Sequence, residues 1–131
     1  FRHPTVRFYS TNIIQVVGDA NTSTAERTVV FGTTNTASGA GSTVLGGSNH
    51  TNDGLYSTIT GGLENTIAED ILTGVIVGGN YNNITNGYGN TIVGGYDNTN
   101  ESMYGVLSSG YQRNLTGDYN WLSCSQADDD L

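Results

Sequence analysis

His3 and His50 are the only histidines of this chain and Cys124 is its only cysteine, so acid–base and nucleophilic chemistry have few candidates. A Ser-His-Asp or Cys-His centre leaves a local signature around its nucleophile, and none occurs here. Glycoside hydrolysis needs two facing carboxylates. Glu64, Glu69, Asp70, Asp97 and Glu101 are available, but they fall on expected loops. Asp128, Asp129 and Asp130 run consecutively and carry the oxygen ligands that calcium takes; a solvated acidic terminus is the simpler expectation. The Gly-Gly pairs are followed by neither a lysine nor a helix, so they are not phosphate loops. No catalytic residue, metal ligand or cofactor site is assigned, and the chain is expected not to be an enzyme. Cys124 has no internal partner and is expected to be a buried thiol.

Aromatic side chains are better candidates for binding than any of these groups are for catalysis. Tyrosine is over-used, with 8 residues. Tyr81, Tyr96, Tyr104, Tyr111 and Tyr119, with Trp121, concentrate in the C-terminal half. Rigid amphipathic rings of this kind anchor protein contacts or stack on sugars, and these six are the candidate receptor-binding residues. The bland alternative is that they shield a thin core. Five Asn-x-Ser/Thr sequons occur, at Asn21, Asn49, Asn83, Asn100 and Asn114, about what so much Asn, Ser and Thr gives by chance.

The element that must position all of these is a short repeat. A phrase close to Thr-Val/Ile-x-Gly-Gly-x-x-Asn-Thr returns about every fifteen residues, most clearly in residues 43–47, 58–62, 75–79 and 91–95. Taking the second glycine of each pair as reference, Gly18, Gly32, Gly47, Gly62, Gly79, Gly95 and Gly110 mark successive coils. So short a unit encloses no core alone and must stack on its neighbours. The expected fold is all-β: a β-solenoid of about seven to eight coils. Its repeat domain spans 16–125, between a lead-in at 1–15 and an acidic tail at 126–131.

Aligning the coils on that glycine produces columns. Val29, Val44, Ile59, Ile76, Ile92, Leu107 and Leu122 form an aliphatic column expected to face the core. The small column two residues on, including Gly46, Gly61, Gly78 and Gly94, is expected to share that inward face. Ala37, Ile67, Ile84 and Leu115 form a second inward wall. Asn21, Asn35, Asn65, Asn82 and Asn98 form a ladder at the turn, with His50 as a substitution within it. Val30, Leu45, Val77 and Val93 are expected to point outward as a stripe that wants a partner, the candidate oligomer interface. Thr28, Thr43, Thr58 and Thr91 read as one threonine column, interrupted by Val75 and Val106 and without a second column beside it.

Composition narrows the partners. Hydrophobic content is 35%, charged content 12%, and the net charge −8, with no lysine among the four basic residues. Nucleic acid requires a basic face to displace counterions, and anionic membrane surfaces are disfavoured on the same ground. No apolar run is long enough to span a bilayer. No signal peptide is legible; the chain opens on Phe1 and reads as a processed or excised piece.

The repeats at 42–51, 57–67, 74–84 and 90–99 resemble the heads of trimeric autotransporter adhesins, the YadA-like β-roll. They resemble still more the Gly-Gly-x-x-Asn repeats of viral, phage and bacterial surface fibre proteins. The adhesin heads have a somewhat shorter repeat and a less constant Gly-Gly pair. The resemblance implies a homotrimeric fibre segment, extracellular or on a virion surface, that displays a surface to a host receptor or glycan. The alternatives are an ice-binding solenoid, a self-assembling extracellular filament and, further off, a carbohydrate-active β-helix enzyme.

Overall fold

The computed structural model describes residues 15–123. Residues 1–14 of the lead-in, Cys124 and the tail at 126–131 lie outside the described residues, and Gln15 opens the first strand. Within them the chain winds through about seven turns of a β-solenoid, with two short strands per coil and no helix. Sheet A stacks Gln15–Asp19, Val29–Thr33, Thr43–Val44, Thr58–Ile59, Val75–Ile76, Thr91–Ile92, Val106–Leu107 and Trp121–Leu122. Sheet B stacks Thr22–Ser23, Thr36–Ala37, Thr51–Asn52, Thr66–Ile67, Asn83–Ile84, Thr99–Asn100 and Asn114–Leu115. All pairings are parallel, each strand bonding to the same strand one coil away.

Each strand pair sends one residue inward and its neighbours outward, the period-two rule of extended chain. In sheet A the inward residues are Val30, Val44, Ile59, Ile76, Ile92 and Leu107, all fully buried, with Leu122 half-buried near the end. From sheet B, Ala37, Ile67, Ile84 and Leu115 meet them across the core. Both expected walls are present, with one exchange. Val29 is half-buried on the outer side, and Val30 is the core residue. Val30 therefore is no part of an outer stripe. The reason is register. Val30 pairs with Val44, fourteen residues on, whereas Thr33 bridges Ser48, fifteen residues on. The third coil carries one extra residue between Val44 and Ser48, so an alignment anchored on the glycines is displaced by one in the strand before it.

Spacing irregularities elsewhere are absorbed outside the strands. The longest coil holds two extra residues, Glu69 and Asp70, in an exposed loop closed by the Ile71 amide donating to the Ala68 carbonyl at 3.3 Å. Ile71 then turns inward and is buried.

Two corners of every coil use left-handed backbone. One runs Ala20, Thr34, Asn49, Glu64, Tyr81, Asp97, Gln112, with φ between 50 and 59°. The other runs Arg27, Gly41, Tyr56, Thr73, Gly89, Tyr104, Tyr119, with φ between 50 and 72°. Left-handed φ is uncommon for residues other than glycine. Its recurrence at one position per coil shows that stacking over-determines the corner.

Candidate functional site

The expected asparagine ladder exists, but it lies inside the molecule. The left-handed residue is the one before each asparagine, and Asn35, Asn65, Asn82 and Asn98 are fully buried. Each side chain makes at least three bonds, and Asn82 and Asn98 share a fourth, from Asn98 Nδ2 to Asn82 Oδ1 at 3.0 Å. Asn82 Nδ2 donates to the Gly78 carbonyl at 3.1 Å and to the Gly95 carbonyl of the next coil at 3.2 Å. Its Oδ1 accepts the Asn98 amide at 3.1 Å. Asn65 repeats this with Gly61, Gly79 and the Asn82 amide; Asn98 does so with Gly94, Gly110 and the Arg113 amide. Asn21 and Asn35 follow the same scheme. The rungs give the amide after each left-handed corner its acceptor, and add a second donor to glycine carbonyls that already accept a backbone amide.

This geometry separates the two glycines of each pair. Gly62 has φ of 96°, and a Cβ there would overlap the Gly79 carbonyl, so no side chain fits. Gly61 is different: a Cβ would meet nothing within 4 Å, and the same holds for Gly78 and Gly94. The expectation that this first column packs into the core is incorrect. It faces open space at the rim of sheet A, because the strand ends after two residues and the chain has already begun to turn.

Outside, the two sheets differ. The outer face of sheet A carries two parallel columns. Val29, Thr43, Thr58, Val75, Thr91, Val106 and Trp121 form one; Phe31, Leu45, Thr60, Val77, Val93 and Ser108 form the other. Leu45, Val77, Val93 and Trp121 are 45–73% exposed. Neither column holds a charged residue from Val29 to Trp121. The threonine column anticipated from the sequence is revised in one place: Thr28 is buried and belongs elsewhere. The column beside it holds one threonine, Thr60, so the threonine array is not doubled. The outer face of sheet B is polar, with Thr22, Thr36, Thr51, Thr66, Asn83, Thr99 and Asn114 along one column and Asp53 and Glu101 in the next. Asp53 accepts a hydrogen bond from the Ser38 hydroxyl of the preceding coil.

The tyrosines occupy the two corners, in two separate groups. Tyr81, Tyr96 and Tyr111 climb one corner, with ring centroids 5.3 Å apart in an edge-on pair and 5.5 Å apart in a stacked pair. Beside them Gln112 donates to Asp97 at 3.1 Å. The Glu64 carboxylate pushes the Tyr81 phenol above its ordinary range. Tyr104 and Tyr119 stack at 5.4 Å on the other corner. Tyr104 lies over Gly89, where a Cβ would approach the ring to 2.8 Å. On the same corner, earlier in the chain, the Arg27 guanidinium sits 5.7 Å from the centre of the Tyr56 ring. Tyr96, Tyr111, Tyr104, Tyr119 and Trp121 are all exposed, Tyr81 partly so. The candidate set is therefore two aromatic ladders plus Trp121 on the face of sheet A.

The candidate carboxylates do not converge. Glu64 and Asp97 lie on one corner, Glu69 and Asp70 in the loop, and Glu101 on sheet B. Among the described residues no group of three or more His, Cys, Asp or Glu side chains comes close enough to hold a metal ion.

His50 occupies the asparagine ladder, as its column indicates. Its amide donates to Asn35 Oδ1 at 2.9 Å, and its Nδ1 accepts the Asn65 amide at 3.1 Å. Burial holds its pKa below the ordinary 6.5. The bond from Asn65 fixes the neutral tautomer with the proton on Nε2.

No family model, curated protein or solved structure matches this chain.

Proposed function

We propose that this solenoid is a non-enzymatic segment of an extracellular or virion-surface fibre. It acts as a homotrimer whose sheet A faces meet at the axis, with the tyrosine corners turned outward toward a host receptor or glycan. The observation that carries this reading is the outer face of sheet A, free of charge from Val29 to Trp121 on a chain of net charge −8. A second copy approaching any other side meets carboxylates of its own sign, which costs free energy; at sheet A it meets valine, leucine and threonine. Gly61, Gly78 and Gly94 support the same arrangement. Nothing within their own chain requires glycine there, whereas a neighbouring backbone drawn in close would. An exposed apolar stripe of this length in turn favours a partner.

Light scattering over a dilution series tests the reading. A mass of three chains that persists on dilution is expected. The double variant Val77→Asp, Val93→Asp is expected to reduce it to one chain while the circular dichroism stays that of the parent. A parent that is monomeric throughout would overturn the proposal.

A second reading rests on the same face. Thr43, Thr58, Thr60 and Thr91 stand in two parallel columns on a regularly spaced sheet, the kind of flat threonine and valine array that could order water as an ice-binding surface. Thermal hysteresis from a monomer would favour it over the fibre.

A further inference from the structure

Three buried side-chain atoms lack a hydrogen-bond partner among the described residues: Ser42 Oγ, His50 Nε2 and Asn52 Oδ1. All three belong to one coil, residues 41–55. In a solenoid each coil contacts only its neighbours, so the least satisfied seam decides where the stack opens. The asparagine rungs above and below each cross their seam with one Nδ2 bond and one Oδ1 bond, the second Nδ2 bond staying within the coil. His50 locks its seam through Nδ1 alone. The Gly62 carbonyl lies near enough to favour a proton on Nε2, yet it is not in hydrogen-bonding geometry.

We propose that His50 makes this coil an acid-released joint: protonation of its ring unlocks the seam between residues 41–55 and the coil that follows, while the asparagine-locked seams stay closed. The geometry dictates the direction. A second proton must go on Nδ1, where the Asn65 amide already points its own hydrogen, so two donors face each other and the rung is lost. The groups that meet His50 are Asn35 from the coil before, at its backbone amide, and, at its ring, the Asn65 amide from the coil after and the backbones of Gly47 and Gly62. None is charged. The nearest carboxylates in sequence face away: Glu64 is exposed on the left-handed corner, and Asp53 points outward to Ser38. No anion is therefore in place to stabilise an imidazolium. Asparagine does not titrate, so the response belongs to this coil alone.

Amide hydrogen exchange by NMR on the full chain, corrected for intrinsic rate, tests this between about pH 7.5 and about pH 5. Protection of the Asn65 amide is expected to fall by about tenfold or more in acid, while the Asn82 amide keeps its protection. In His50→Asn the Asn65 amide is expected to lose its pH dependence. The proposal is overturned if Asn65 and Asn82 respond alike, or if His50→Asn retains the acid response. Should that variant not fold, the ring nitrogen shifts of the parent decide: titration of His50 below 6.5 from the Nε2-protonated tautomer supports the joint, and titration at or above that value overturns it.

Discussion

Asn52 and Asn100 occupy the same position in two coils, and the hydroxyl beside each stands at a different place. Both replace an aliphatic residue in the column of Ala37, Ile67, Ile84 and Leu115, and both are fully buried. Asn100 Nδ2 donates to the Thr91 and Gly105 carbonyls, and Asn52 Nδ2 donates to the equivalent Thr43 and Ser57 carbonyls. Two residues past Asn100 stands Ser102, whose hydroxyl and amide both reach Asn100 Oδ1, at 2.6 and 3.2 Å. Two residues past Asn52 stands Gly54, and Asn52 Oδ1 has no partner. The serine of that coil is instead Ser57, where the later coil has Gly105. Ser57 Oγ donates to the Leu55 carbonyl and accepts the Gly74 amide. Each corner has room for one hydroxyl: a Cβ on Gly54 would lie 2.6 Å from Ser57 Oγ, and one on Gly105 would overlap Ser102 Oγ. The serine's position decides whether the buried amide beside it is satisfied, so coils with the same residue types in the same fold differ in strength.

The largest expected effect comes from the fully bonded side. Asn98→Ala takes the acceptor from the Arg113 amide and the donor from the Gly94 carbonyl, and leaves the Gly110 carbonyl with the Tyr96 amide alone; it is expected to cost about 2–3 kcal/mol. His50→Ala strands one amide and is expected to cost about 1 kcal/mol. Denaturant unfolding of both variants checks the ratio; equal losses would remove the distinction between the two rungs. Next in size, Ser102→Gly removes the hydroxyl partner of Asn100 Oδ1 and is expected to cost about 1–2 kcal/mol. The reciprocal change, Asn52→Leu, removes an orphaned oxygen and supplies the side chain that position 115 already carries. It is expected to be neutral or slightly stabilising by the same measurement.

The smallest effect separates the rungs by pH. Because the folded His50 pKa lies below the unfolded value, the unfolded chain binds more protons between the two. Stability is then complete above about pH 6.5 and declines as pH falls from there toward the folded pKa. Unfolding midpoints of parent and His50→Asn are expected to diverge across that window and run parallel above it. A constant offset from about pH 7.5 to about pH 5 would contradict this.

Much of this architecture is legible in the residues, for physical reasons that also mark the limit. Period-two burial and a period near fifteen leave their trace directly in side-chain type, so Ile59, Ile76 and Ile92 declare the core. So does the insertion at Glu69 and Asp70, because charge is expelled to a loop. The exchange of Val29 for Val30 is not legible: both are valine, and only the hydrogen-bond register, set by an extra residue one coil later, distinguishes them. The inward turn of the asparagines is hidden for a related reason. Asparagine suits a left-handed corner and a buried rung equally well, and here the corner falls one residue earlier, on side chains as unlike as Glu64 and Tyr81. Of the candidate site, the tyrosines are visible as types, and their distance from the reference glycine already parts Tyr104 and Tyr119 from Tyr81, Tyr96 and Tyr111; that the two groups lie on separate left-handed corners needed the backbone path.

The asparagine rung has one more consequence. Each coil with an asparagine rung presents to the next the same acceptor, an Oδ1, and demands from it the same pair, an amide and a glycine carbonyl. A whole coil copied or deleted at a seam leaves every remaining seam with matching halves, whereas a gain or loss of part of a coil does not unless it falls in a loop. The molecule's length is therefore free to change by duplication, in steps of one coil, without redesign of what lies on either side.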